Sequence, residues 1–93
     1  MRVVVVYDIS DDADRLRLSS RLLGLSLTRV QRSVFVGRGG YAFAKDVYRV
    51  AQRHVTQEGD SVIVLVVPDE SLERALVAGR PMAPLGGEAR VVV

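Results

Sequence analysis

The stretch Arg2-Val3-Val4-Val5-Val6-Tyr7-Asp8-Ile9-Ser10-Asp11-Asp12 decides how the rest of the chain is read. Four consecutive valines followed by an aromatic make an apolar run of the kind a strand carries when both of its faces are covered. The polarity then reverses within three residues. Ser10, Asp11 and Asp12 supply short oxygen acceptors and negative charge, which the free N–H groups and positive end of a helix select. A buried strand running straight into a helix start predicts a layered α/β unit.

From there the pattern extends in one direction. The first helix is expected over residues 12–23, stopping at Gly24. On a helical wheel Ala13, Leu16, Ser20 and Leu23 share one sector and Leu18 with Leu22 fill a second, so two different surfaces are expected to cover it. Residues 27–36, Leu-Thr-Arg-Val-Gln-Arg-Ser-Val-Phe-Val, read as one extended segment. Alternation places Val30, Arg32, Val34 and Val36 on one side, and Leu27, Arg29, Gln31, Ser33 and Phe35 on the other, a side too polar for a core. Gly37-Arg38-Gly39-Gly40 breaks the segment. Residues 41–55 form the clearest amphipathic helix, with Phe43, Ala44, Val47, Tyr48, Val50, Ala51 and Val55 on one half. A turn at 57–60, a valine-rich strand over 61–67 ended by Pro68, a short helix over 71–78 and a last strand over 88–93 complete the order.

Composition limits what such a chain can be. Its 93 residues, 48% of them hydrophobic and 26% charged, with three prolines, describe a folded chain, read here as a single domain over 1–93. A domain of this size hides only roughly 60–65% of its unfolded surface, so it gains from a partner. Eighteen valines favour pleated, half-buried surfaces. The absence of cysteine excludes disulfides, zinc ribbons and thiol catalysis. There is no apolar run near the ~20 residues of a membrane span, and Met1-Arg2-Val3 lacks the pattern of a signal peptide. A cytoplasmic location with no membrane partner is therefore expected. Twelve arginines stand against one lysine, Lys45, within a net charge of only +2. The arginine fork suits phosphate and carboxylate better than an ammonium does, although a coding bias or growth at high temperature produces the same excess.

Few residues offer chemistry. The single histidine, His54, lies on the apolar half of the second helix, where histidine is more often a packed residue than a catalyst. Gly37-Arg38-Gly39-Gly40 has glycines ahead of a helix, as an anion site does, but lacks the Lys-Ser/Thr of a phosphate loop and reads more simply as a turn. Asp8 is better placed. A carboxylate where a buried strand ends can hold a hard cation, and magnesium usually takes only one or two protein carboxylates beside water and phosphate. Asp11, Asp12 and Asp14 are more simply helix-start acids. Arg15, Arg17, Arg21, Arg29 and Arg32 crowd the region that follows, suited either to phosphates or to ion pairs with those acids.

Taken in order, Tyr7-Asp8-Ile9-Ser10-Asp11-Asp12, Arg15-Leu16-Arg17, Arg29-Val30-Gln31-Arg32-Ser33-Val34-Phe35-Val36-Gly37 and Asp60-Ser61-Val62 resemble one family over residues 3–67. It is the small CRISPR-associated protein of the adaptation module, the non-integrase partner of the spacer integrase. The resemblance implies a ferredoxin-like βαββαβ sandwich with an extra C-terminal strand, paired sheet to sheet as a homodimer. It implies that Asp8 of each copy holds a shared Mg2+ ion, with Tyr7 beside it in the catalytic site. By the same resemblance Arg15, Arg17, Arg29, Ser33 and Phe35 bind nucleic acid, either protospacer DNA or single-stranded RNA. Some members of that family are described as metal-dependent endonucleases and others only bridge two integrase dimers, so an enzyme and a scaffold are both expected readings. The rival from another class is a non-catalytic ligand-sensing module on the same fold, which has no use for Tyr7-Asp8 beside three arginines. A βαββαβ order also needs a hairpin after the first helix, and residues 27–36 carry no turn signal.

Overall fold

The computed structural model describes residues 1–85. Its elements run β1 (Arg2–Asp8), α1 (Asp12–Gly24), β2 (Thr28–Gln31), β3 (Val34–Arg38), α2 (Tyr41–Ala51) with a 3-10 turn over Gln52–His54, β4 (Ser61–Val67) and α3 (Asp69–Glu73). The four strands form one antiparallel sheet in the order β2-β3-β1-β4, the ferredoxin-like arrangement. The expected strand over 88–93 lies outside the described residues. No helix among them is long and apolar enough to cross a membrane.

The valine run is central in the sheet and pairs on both sides, but only one of its faces is covered: Val3 and Val5 are buried under the helices while Val4 and Val6 look onto the open face. Val3, Val5 and Tyr7 face the helices with Phe35, and meet Leu18 and Leu22 of α1 and Ala44, Val47 and Ala51 of α2. Asp11 caps α1 by accepting the Asp14 N–H at 2.9 Å. Of the two apolar sectors expected on α1, only the one with Leu18 and Leu22 is covered; Leu16 and Leu23 stay 68% and 55% exposed. The second helix ends as an α-helix at Ala51 rather than at 55, tightening to a 3-10 turn.

The segment 27–36 is a hairpin, not one strand. Arg32 and Ser33 form the turn, and Gln31 faces Val34 across it. Neither turn residue has positive φ, so the Asn-Gly or Asp-Gly signature of the commonest two-residue hairpin is not needed and none appears. A register shift between Arg29 and Gln31 takes up the geometry that such a turn would otherwise strain. This also corrects the reading of its faces. Leu27 and Phe35, assigned to a side too polar for a core, are 2% and 0% exposed: Arg29 and Phe35 are cross-strand partners and still share a face, but that face is packed into the core with Leu18, Leu22 and Val47.

The helix expected over 71–78 is shorter and earlier. Pro68 precedes it, Asp69 and Glu70 fill its first turn, and it stops at Glu73. Leu76 is 95% exposed, so no apolar contact rewards a further turn. At Gly39 the fold demands glycine on two counts: it has φ +150°, and a Cβ there would stand 2.6 Å from the Phe43 ring.

Candidate nucleic-acid interface

The chemistry gathers at the end of the sheet where β1 stops. Asp8 alternates with Val4 and Val6 on the face away from the helices, and it is exposed. Ile63 and Leu65 of β4 lie beside Val6 and Val4 on the same face, 53% and 46% exposed. The carboxylate thus ends an uncovered apolar stripe.

On the other side of the same sheet end, α1 and the β2–β3 turn enclose a groove of about 330 Å³ lined by Asp12, Arg15, Leu16, Ser19, Arg29, Arg32 and Ser33. Arg15 donates to the Ile9 carbonyl at 3.1 Å and pairs with Asp12. The first contact ties it to the residue that follows Asp8. Arg29 sits with its guanidinium carbon 5.1 Å from the centroid of the Phe35 ring, and its Nε is buried without a hydrogen-bond partner among the described residues.

Beneath the groove is an aromatic floor. Tyr7 and Phe35 stack at 6.1 Å with 25° between their planes. The Tyr7 hydroxyl donates to the Arg32 carbonyl at 3.3 Å, and its backbone N–H donates to the Ser33 carbonyl at 3.1 Å. Tyr7 is 4% exposed and Phe35 is wholly buried. Neither ring opens to a ligand; both fix what does, Tyr7 the Arg32–Ser33 turn and Phe35 the Arg29 fork.

Of the expected binding residues, the fold therefore brings Arg15, Arg29 and Ser33 together and places Phe35 under them. Arg17 points elsewhere. It pairs with Asp14 at 3.1 Å on the outer surface of α1, one of the helix-start ion pairs that the acid spacing allowed. Arg32 was counted only among the crowded arginines, and the turn that brings it to the groove has no sequence signal.

Asp60 was quoted in the motif without a role, and it has one. Its Oδ1 accepts the Ser10 N–H at 3.0 Å and the Ser10 hydroxyl at 2.9 Å, while Oδ2 accepts the N–H groups of Gln57 at 3.0 Å and Thr56 at 3.3 Å. These donors, the Ser10 N–H first, hold its pKa below the ordinary value of 3.8. The loop that leaves Asp8 is stapled to the loop entering β4. His54 is the packed residue expected. It is 7% exposed, its Nδ1 lies 4.0 Å from Asp14, and burial followed by the Arg21 charge lowers its pKa.

One chain offers a single carboxylate, Asp8, to a cation at this sheet end. Among the described residues no three His, Asp or Glu side chains come together to hold a metal. Asp8 as a single carboxylate fits magnesium only as a shared ligand, completed by a second copy or by phosphate oxygens.

The model for the CRISPR associated protein Cas2 family matches residues 1–75. The chain belongs to the Cas2 family. Every residue of the groove, and Asp8, lies inside the matched part. The CRISPR-associated endoribonuclease Cas2 of Aeropyrum pernix is 39% identical over 77 residues, covering 83% of this chain and 84% of that protein. A solved structure described as a crystal structure of Cas2 superposes with TM-score 0.63 at 31% identity, covering 90% of this chain and 92% of the other. A CRISPR-associated endonuclease Cas1/endonuclease Cas2 fusion of Thermoproteus tenax is 31% identical over 84 residues, which are 89% of this chain and 32% of the fusion. Membership in the Cas2 family agrees with the motif resemblance, and the ferredoxin-like order agrees with the topology that the resemblance implied.

Proposed function

We propose that this Cas2-family chain serves CRISPR adaptation as a homodimer. In this reading it grips protospacer nucleic acid through Arg15, Arg29, Arg32 and Ser33, and docks the spacer integrase. Phosphodiester cleavage at Asp8 is its accompanying activity. The observation that carries the proposal is the convergence of three arginines and a serine on one groove beside the end of β1. Three guanidiniums facing one acid, Asp12, match a polyanion. The relative from Thermoproteus tenax, in which the Cas1 and Cas2 endonucleases are one chain, supports the integrase as the partner. Relatives named endoribonuclease support phosphodiester chemistry.

The open sheet face supports the dimer. Val4, Val6, Ile63 and Leu65 form an apolar stripe that a second copy would cover, carrying two Asp8 carboxylates toward the interface. Asp8 from each copy would hold the magnesium ion, which when bound offsets phosphate charge and makes a water more acidic. Arg15 and Arg29 hold the phosphate against that edge, and Tyr7 and Phe35 keep the arginine forks and the turn from shifting. Two carboxylates brought together without a cation repel each other.

The substitution Asp8→Asn tests the division of labour, since it removes the charge at nearly constant volume. Cleavage of single-stranded RNA and duplex DNA is expected to fall by orders of magnitude and to lose its response to magnesium. Duplex binding and spacer acquisition with the integrase are expected to persist. A variant that cuts as fast as the parent removes Asp8 from the chemistry, and a folded, integrase-bound dimer that no longer supports acquisition removes the scaffold role.

A further inference from the structure

Asp8 has no side-chain partner of its own. Its carboxylate forms no hydrogen bond and no ion pair among the described residues, so the backbone alone sets where it stands. That backbone lies at a ladder end. Pairing of β1 with β3 stops at Val6 opposite Val34, whereas pairing with β4 runs on to Asp8 opposite Ser61. A strand end flanked by one neighbour opens more readily than the strand centre unless something else holds it.

Asp60 closes this end from two directions. It precedes Ser61, the residue across from Asp8, and its Oδ1 takes the N–H and hydroxyl of Ser10, two residues beyond Asp8. Asp60 is fixed in turn. Its Oδ2 takes the Thr56 and Gln57 N–H groups, its own N–H donates to the Gln57 carbonyl at 3.1 Å, and the Thr56 hydroxyl donates to Asp14 of α1 at 2.7 Å. The two Asp60 oxygens thus accept about as many donors as a carboxylate can, so Asp60 is not itself a cation ligand. Between Asp8 and Ser10 stands Ile9, 3% exposed, whose carbonyl accepts from Arg15. One short segment therefore carries both the carboxylate of the open face and the hold on a groove arginine.

We infer that Asp60 is a positioning residue for the Asp8 carboxylate: by clamping Ser10 it holds Asp8 where a divalent cation can use it, at a fixed separation from Arg15. The inference rests on the reading of Asp8 as a cation ligand. Groups that orient a metal-binding side chain without touching the metal are typically worth about ten- to a hundredfold in metal affinity or activity.

Mn2+ binding to the full chain, read from loss of the free-ion EPR signal, tests it at a temperature where thermal melts show every variant folded. Asp60→Asn turns an amide NH2 toward one pair of donors and is expected to weaken Mn2+ binding about tenfold. Ser10→Ala loses only the hydroxyl bond and is expected to weaken it less, while Ser10→Thr, which keeps the hydroxyl, binds as the parent does. The magnesium concentration that half-saturates cleavage is expected to rise in the same order. In an Asp8→Asn background, Asp60→Asn should change Mn2+ binding no further, because the group it positions is gone; an equal loss in both backgrounds overturns the inference. A parent that binds no Mn2+, or Asp8→Asn that binds it as tightly as the parent, removes the cation reading and the inference with it. If Asp8→Asn loses Mn2+ and Asp60→Asn does not, the inference alone falls. Should Asp60→Asn fail to fold, Ser10→Ala decides, and parental Mn2+ affinity in that variant overturns the inference.

Discussion

The two faces of the β-sheet are built from the same residue type and do different work. On the helix side Val3 and Val5 are wholly buried, and Tyr7 and Phe35 stack among them. On the other side Val4 and Val6 alternate with them along the same strand, beside exposed Ile63 and Leu65. Hydrophobicity alone does not distinguish the two. The closed face holds the chain together and levels the floor under Arg29 and the turn. The open face contributes little to the isolated chain and, in the proposal above, is kept apolar for assembly. A valine strand that reads as covered twice is covered once by its own helices and, in the proposal above, once by a partner.

The strongest way to break this contrast is Phe35→Ala. Removing a fully buried ring is expected to cost about 3–5 kcal/mol in urea unfolding, and to weaken duplex binding even in the molecules that remain folded, since Arg29 loses its support. Unchanged stability would mean that the closed face is not the core. The same operation on the open face gives the opposite signature. Ile63→Ser with Leu65→Ser is expected to change the stability of the monomer by no more than about 0.5 kcal/mol per site, yet to raise the dimer dissociation constant at least about tenfold, or 1.4 kcal/mol, by sedimentation. A parent that sediments as a monomer at micromolar concentration refutes the paired-sheet model outright.

The smallest effect sharpens the comparison at the sheet end where the two faces meet. Asp60 has a folded pKa below its ordinary 3.8, so its folded form favours the carboxylate. The stability it contributes is present above that ordinary value and is lost as pH falls through the folded value, because the unfolded chain then binds the extra proton. The parent should therefore lose part of its advantage over Asp60→Asn as the pH drops below about 4, together with hydrogen-exchange protection of the Ser10 amide. A constant difference between parent and variant over that range would show that the staple does not titrate.

Much of the fold was legible because it is written in local periodicity. The strands over 2–8 and 61–67 and a helix start within Ser10–Asp12 lie where the sequence pattern puts them, and the first helix runs one residue further than expected, through Gly24. The hairpin was not, because a turn made of Arg32 and Ser33 at negative φ needs no special residue, and its register shift at Arg29 is settled by pairing with β3. The site divides in the same way. Asp8, Arg15, Arg29 and Ser33 could be named from an ordered motif, but whether they meet depends on contacts far apart in the chain.

By itself, then, the sequence determined the α/β order, the family motif and the end of β1 as the place for a carboxylate, since each is set by neighbours a few residues away. Only the tertiary structure decided that Arg32 joins the groove while Arg17 turns to Asp14, that Tyr7 and Phe35 lie beneath the groove, and that Asp60 holds the loop after Asp8. Those outcomes depend on which strand lies against which, and a side chain's partner across a sheet is fixed by register and burial, quantities that no local pattern contains.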